Sequence, residues 1–145
     1  MGVLYVCGQY SGVGTTALCA ALATKWRSAG LRVSLLQMTS LDPESVMEAE
    51  QAGPISISFT GTNPVELSPR NATTAIQSIV QDADIVLIEG RPLVNASKRE
   101  IEFSIELVRI LEAKVLGLLS YDMKLSTKSA RIWQETFGES LIGLV

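Results

Sequence analysis

The sequence contains no histidine and only two cysteines among its 145 residues. Without histidine the chain cannot build a Ser-His-Asp triad, use imidazole as a general acid or base, or form the commonest zinc sites. Cys7 and Cys19 do not form a CxxC pair, and two cysteines are too few for a disulfide framework. We therefore interpret both thiols as small buried hydrophobic groups in a reducing compartment.

Long apolar runs and a strong net charge are also missing. No apolar run approaches the roughly 18 residues that a membrane span requires, and no basic segment precedes the short N-terminal apolar run as it would in a signal peptide. The net charge of −3 provides no basic field for nucleic acid. We expect a cytoplasmic protein of one domain, residues 1–145, that binds neither membranes nor nucleic acids.

The apolar segments are short, rich in β-branched residues and separated by helical patterns, which is typical of parallel βαβ units. The sequence therefore predicts an α/β fold with three layers and a mostly parallel sheet, similar to a P-loop NTPase. The predicted strands are 3–7, 32–36, 84–88, 114–120 and 140–145, with a weaker strand at 55–59. The predicted helices are 15–29, 43–52, 71–82, 98–113 and 125–137.

The most informative segment is the glycine-rich stretch Gly8–Thr16, which lies between the first predicted strand and the first predicted helix. Three interpretations are open. The glycines could form a simple strand-to-helix turn, or Gly12 and Gly14 could belong to a dinucleotide fingerprint of the form G-x-G-x-x-G/A. The third interpretation is a P-loop, in which backbone N–H groups and a helix N-terminus bind phosphate. Because three glycines exceed what a turn needs and no acidic residue ends the second strand, we favour the P-loop.

A P-loop needs a hydroxyl and a carboxylate for Mg²⁺, and the sequence offers both. Thr16 stands where the P-loop Ser/Thr binds the metal, and Glu89 ends the apolar strand Ile85–Ile88 just before Gly90. The pattern also departs from the P-loop in two ways. Five residues instead of four separate the outer glycines, and Thr15 replaces the lysine.

The loop, together with Gly30–Val33 before the second strand and Ile88–Gly90 after the third, resembles dethiobiotin synthetase and the related cobyrinic acid a,c-diamide synthases. The chain looks most like the dethiobiotin-synthetase-like N-terminal domain of phosphotransacetylase-type proteins. This family also has five residues between the outer glycines of its loop. In this family a strand that resembles Leu141–Val145 leads to an asparagine that binds the base. We therefore expect an adenine-recognition element to lie outside this sequence. The sequence would then be a truncated form or one part of a larger protein.

The resemblance implies ATP and Mg²⁺ as cofactors and a particular set of contacts. Mg²⁺ contacts would come from Thr16 and Glu89, with Asp42 as a weaker candidate. Gln37 replaces the family's lysine at the end of the second strand, so the chain lacks both lysines. Phosphate contacts are implied for Gly12, Val13, Gly14, Thr15 and Thr16.

The missing lysines favour binding over catalysis. A charge-assisted hydrogen bond contributes about 1.5–3 kcal/mol to binding, whereas losing a group that stabilises transition-state charge costs on the order of 10²–10³ in rate. Arg91, two residues beyond Glu89, is the best-placed cation to replace them, although a local salt bridge to Glu89 or Glu102 is an alternative for it. Lys25 is too far along the helix.

We therefore expect a degenerate P-loop domain that binds a nucleotide or phosphate-bearing ligand, as a homodimer, with weak or absent catalysis. One alternative is a scaffold for dimerisation or regulation, in which the loop collapses and Tyr10 fills the phosphate position. The other is an active ATP-dependent ligase that recruits Arg91 or a partner's lysine.

Overall fold

A computed structural model describes residues 2–37, 69–79, 81–94, 96–120 and 127–145 of the chain. The strands are β1 (Gly2–Gly8), β2 (Val33–Gln37), β3 (Ile85–Glu89), β4 (Lys114–Leu118) and β5 (Leu141–Leu144). The helices are α1 (Thr15–Ser28), α2 (Pro69–Ile79), α3 (Lys98–Ile110) and α4 (Thr127–Phe137), with a short 3₁₀ helix at Gly138–Ser140.

The five strands form one parallel sheet in the order β2-β3-β1-β4-β5. The central strand β1 lies between β3 and β4, where Val6 is in register with Glu89 and with Leu116. Parallel strands end at the same edge of a sheet, so the ends of β1, β2 and β3 lie side by side. This arrangement confirms the predicted α/β class with a parallel sheet.

Helices cover both faces of the sheet. On one face α1 packs through Cys19 and Ala23 against Val6, Val33 and Leu87. The opposite face carries the larger apolar cluster, which contains residues of three helices and four strands. Its buried members are Tyr5, Cys7, Leu36, Ile76, Val86, Ile88, Leu107, Val108, Ala113, Val115, Trp133 and Phe137.

The predicted boundaries hold to within three residues for the elements that the structure describes. Differences of three residues occur at the ends of the helices predicted for 71–82 and 98–113. In the second case α3 ends at Ile110, and Glu112 adopts a left-handed conformation with φ 51°. That conformation is rare outside glycine, so the sequence gives little sign of it. The predicted helix 43–52 and the weaker strand 55–59 lie outside the described residues.

Local sequence explains where the helices begin and end. Gly30 follows the last turn of α1 with φ 88°, and a left-handed residue commonly ends a helix in this way. Lys25 and Arg27 lie in the last turn, where the helix dipole favours positive charge. At the start of α3, Ser97 accepts a hydrogen bond from the Glu100 backbone N–H, and the Glu100 carboxylate accepts one from the Ser97 N–H. This reciprocal capping box fixes the helix start.

Gly90, immediately after β3, is required by packing against an aromatic ring. A Cβ at this position would lie 2.2 Å from Cζ of Tyr5, whose side chain is fully buried and whose hydroxyl donates to Ser104 at 3.0 Å. Glycine after a strand end commonly allows another group to approach the backbone closely. In the structure the group that approaches Gly90 is the Tyr5 ring, from the face opposite α1.

We predict that Gly90→Ala lowers the free energy of unfolding by about 1–3 kcal/mol, the usual cost of overpacking a closely packed core. Denaturant unfolding followed by circular dichroism measures the change. Gly2→Ala is the matched control, since no atom lies within 4 Å of its added Cβ. Equal stability of the two variants would contradict this account of Gly90.

Candidate functional site

The loop that joins β1 to α1 is closed tightly over its first glycine. A Cβ on Gly8 would lie 2.6 Å from the Thr15 hydroxyl oxygen and 2.8 Å from a methyl group of Val13. Gly12 and Gly14 adopt left-handed conformations with φ 79° and 97°. All three positions therefore depend on glycine, two for backbone conformation and one for space. A simple turn would not need all three.

The loop ends at the N-terminus of α1 without a side-chain cap. Gly14 is the N-cap residue, no side chain caps the helix there, and its first turn contains no acidic residue. The backbone N–H groups of the first turn have no partners within the helix. Together with the helix dipole, such groups favour an anion at this point.

In the scaffold alternative the Tyr10 ring fills the phosphate position. Tyr10 is 36% exposed, and its backbone carbonyl oxygen lies 3.1 Å from a Cβ on Gly8. Gln9, beside it, is a buried polar residue that the sequence analysis did not single out, and its side-chain oxygen has no hydrogen-bond partner. Its backbone N–H bonds to Leu118 and its carbonyl accepts from Val94, which extends β1 beyond Gly8.

Thr16 and Glu89, distant in sequence, are in direct contact. The Thr16 hydroxyl donates to a Glu89 carboxylate oxygen at 2.6 Å, and Glu89 is 9% exposed. The sheet brings them together, because the end of β3, with Glu89, lies beside β1. The loop after β1 leads to the start of α1, with Thr16. Burial raises the pKa of the nearby Cys19 thiol to about 12, and the Glu89 charge adds to the effect.

These two side chains fit a magnesium ion. Hydroxyl and carboxylate oxygens are ligands that Mg²⁺ prefers, and the ion commonly keeps several waters and uses only one or two carboxylates. Thr16 and Glu89 would therefore hold the ion, as the sequence predicts, and the ion would neutralise charge on phosphate oxygens. Among the described residues no group of three or more His, Cys, Asp or Glu side chains could hold a metal without other ligands. Asp42, the weaker candidate, lies outside the described residues.

Neutral side chains stand at the two positions for which the sequence comparison with the dethiobiotin-synthetase family indicates lysine. Thr15 is the first residue of α1, directly after the loop, and Gln37, at the end of β2, is in register with Glu89 on the neighbouring strand. Lys25 lies in the last turn of α1, at the far end from the loop. Glu89 therefore meets no lysine at either of the two expected positions.

Arg91 forms an ion pair with Glu100 on α3. A local salt bridge, the predicted alternative, is therefore confirmed, with Glu100 as the partner; the predicted partner Glu102 was wrong, since its carboxylate lies 3.8 Å from the Lys98 ammonium group instead. The reason is the capping box, which holds Glu100 at the helix start. The signal Ser97-x-x-Glu100 is legible in the sequence.

The surroundings of Arg91 belong to the face of the sheet opposite α1. The Cys7 thiol donates to the Arg91 carbonyl oxygen at 3.0 Å, and both residues line a small cavity together with Glu100, Ser104 and Phe137. Burial raises the pKa of the Cys7 thiol to about 12. Both cysteines are buried and unpaired, as predicted.

Comparison with known proteins gives a likeness in fold. No protein-family model matches the chain, and no curated protein matches it. Among solved structures, the signal recognition particle receptor FtsY from the chloroplast of Physcomitrella patens is similar, with a TM-score of 0.69 and 21% identity over 99% of this chain and 48% of that one. FtsY from Elizabethkingia anophelis in complex with GDP has a TM-score of 0.61 and 20% identity over 93% of this chain and 46% of that one.

The kinase domain of the Escherichia coli tyrosine kinase ETK is also similar, with a TM-score of 0.65 and 15% identity over 99% of this chain and 66% of that one. The chain spans about half the length of the FtsY structures that it matches. At these identities the likeness shows the fold alone, a parallel sheet with helices on both faces. These neighbours do not support the narrower resemblance to dethiobiotin synthetase. No helix among the described residues is long and apolar enough to cross a membrane.

We predict that Arg91→Ala leaves the affinity for inorganic phosphate unchanged within about twofold, because the Arg91 guanidinium pairs with Glu100. The free energy of unfolding should fall by about 1 kcal/mol or less, since such ion pairs contribute little to stability. Calorimetric titration and denaturant unfolding measure the two quantities. Lys98→Ala is the control, because it removes a positive charge at the start of α3, the helix that contains Glu100. A tenfold or larger loss of phosphate affinity in Arg91→Ala alone would place the arginine at the ligand.

Proposed function

We propose that this chain is a degenerate P-loop domain that binds the phosphate groups of a nucleotide or of another phosphate-bearing ligand, with weak or absent catalysis. The observation that carries the proposal is the Thr16–Glu89 hydrogen bond at the mouth of a glycine loop whose helix has no side-chain cap. These two oxygen atoms would serve as the protein ligands of a Mg²⁺ ion that keeps several waters.

The arrangement supports binding more strongly than chemistry. Backbone N–H groups of Gly12, Val13, Gly14, Thr15 and Thr16 would contact phosphate oxygens, and these groups remain when the lysine is lost. Phosphoryl transfer relies on positioning and on positive charge at the transferring group. Neither Thr15 nor Gln37 supplies that charge, and Arg91 is paired with Glu100 on the other face.

The nucleotide could carry adenine or guanine. The family resemblance suggests ATP, whereas one similar structure was solved with GDP. We keep the dethiobiotin-synthetase relationship as a proposal that is supported by the five residues between the outer glycines. A cytoplasmic homodimer is part of the same proposal, and light scattering on the purified chain tests the dimer directly.

Calorimetric titration with ADP, GDP and inorganic phosphate, each with and without Mg²⁺, tests the proposed function. We expect saturable binding of at least one of these ligands. Gly14→Ala should weaken it, because φ 97° is strained for any residue with a side chain. Gly2→Ala is again the control. No binding of any ligand by the folded wild-type chain would instead favour a scaffold role.

Thr15→Lys should tighten nucleotide binding by about 1.5–3 kcal/mol, the contribution of a charge-assisted hydrogen bond. The same calorimetric titration measures it. Thr24→Lys, which adds the same charge to an exposed position of α1, is the matched control and should leave affinity nearly unchanged. Equal effects of the two substitutions would show that charge alone, and not a contact in the loop, changes the affinity.

The wild-type chain should hydrolyse ATP slowly or undetectably, because no lysine in the loop stabilises the transferring phosphoryl group. A phosphate-release assay on the purified chain measures the rate. Glu89→Gln serves as the control for contaminating ATPases, since hydrolysis that survives this change does not arise at the site. Hydrolysis that is fast and depends on Glu89 would favour the active-ligase alternative.

A further inference from the structure

The outward face of α4 carries opposite charges in its two halves. Lys128, Arg131, Ile132 and Glu135 are all exposed, and their spacing of i, i+3, i+4 and i+7 places them on one side of the helix. Trp133, on the other side, is buried in the apolar cluster. This α4 face is therefore basic in the first half of the helix, acidic in the second half and apolar in the middle.

This order of charges does not stabilise α4 itself. The helix dipole favours acidic residues in the first turn and basic residues in the last, whereas α4 has no acidic residue in its first turn and no basic residue in its last. Arg131 precedes Glu135 by four residues, which is the less favourable orientation for a pair within one helix. None of the ion pairs among the described residues involves Lys128, Arg131 or Glu135. These charges are therefore available to a partner molecule.

We propose, resting on the homodimer that forms part of the function proposed above, that the α4 face is the dimer interface and that α4 of a second copy covers it in antiparallel orientation. A two-fold axis brings the same surface of both copies together. Antiparallel packing places the basic half of each helix, with Lys128 and Arg131, against the acidic half of the other, with Glu135 and, just beyond it, Glu139. The charge pattern is therefore complementary to itself, and a second copy of this chain is the partner that matches it.

Ile132 provides the apolar centre of this interface. It is 47% exposed and lies between the basic and the acidic half of the α4 face. Interfaces commonly combine an apolar centre with a polar rim. β5 also exposes two apolar side chains, Ile142 and Val145, but no residue of Leu141–Leu144 is charged, so that strand offers no charge pattern that would select a partner.

The interface would leave the glycine loop accessible. α4 packs through Trp133 and Phe137 on the face of the sheet opposite α1, whereas the loop leads into α1. We therefore expect dimerisation and phosphate binding to be independent of each other. Monomeric variants of α4 should bind inorganic phosphate with the same affinity as the wild type.

Charge reversal at two positions tests the antiparallel pairing. Arg131→Glu and Glu135→Arg each place like charges against each other across the two-fold axis, so each should raise the dissociation constant of the homodimer by at least about tenfold. An equimolar mixture of the two variants should form a heterodimer, because the acidic face of one then meets the basic face of the other. Sedimentation velocity on the purified full chain measures the dimer populations.

Arg99→Glu is the matched control, since Arg99 is exposed on α3 and does not belong to the α4 face. Its homodimer should be as stable as that of the wild type. Ile132→Asp is a second, independent variant that should also dissociate the homodimer, because it places a charge at the apolar centre. Circular dichroism checks that each variant is folded, and if a charge reversal prevents folding, Ile132→Asp decides.

The outcomes separate this inference from the function on which it rests. A wild-type dimer that persists in Arg131→Glu, Glu135→Arg and Ile132→Asp forms through another surface, which overturns the inference and keeps the homodimer. Equal loss of the dimer in Arg99→Glu would show an effect of net charge alone and would also overturn it. A wild-type chain that is monomeric at every concentration overturns both the interface and the homodimer, while phosphate binding is decided separately by calorimetric titration.

Discussion

The pairing of β1 with both of its neighbours is the constraint on which the rest of the structure depends. β1 lies at the centre of the sheet, with β3 on one side and β4 on the other, and its inner residues Tyr5 and Val6 are fully buried. Because all strands are parallel, their carboxyl ends form one edge. That edge is where ligands bind on open α/β sheets. The loop after β1, the Glu89 carboxylate and Gln37 meet there for this reason alone.

The sequence predicted this architecture because its signals are local and repeated. Short β-branched runs alternating with helical patterns indicated parallel strands, and a glycine cluster after the first strand indicated a loop that binds phosphate. The contact between Thr16 and Glu89 followed from the same reasoning, since a strand-end carboxylate beside β1 falls near the start of α1. The likeness to the FtsY and ETK structures agrees with this fold, whereas the narrower family depends on positions that this chain has changed.

The partner of Arg91 and the purpose of Gly90 were both missed, the first because the capping box was not used to place Glu100, the second because it depends on a side chain from a distant segment. Proximity in sequence favoured Glu89 or Glu102 for the arginine, but the capping box holds Glu100 within its reach. The neighbour that excludes a side chain at Gly90 is the Tyr5 ring, which comes from β1, far away in sequence. Tertiary contacts of this kind leave no periodic pattern to read.

The position of β1 in the sheet also determines when the loop can form as the chain is made. Val3 pairs with Val86 and Leu4 pairs with Lys114, so the first strand has no partner strand until most of the chain has left the ribosome. Such distant pairings carry a large loop-closure cost and make folding slow. The pairing that holds β1, and with it the start of the glycine loop, can form only after β3 and β4 have been synthesised. Until then β1 is an apolar strand without these partners, a kind of segment that is prone to aggregation.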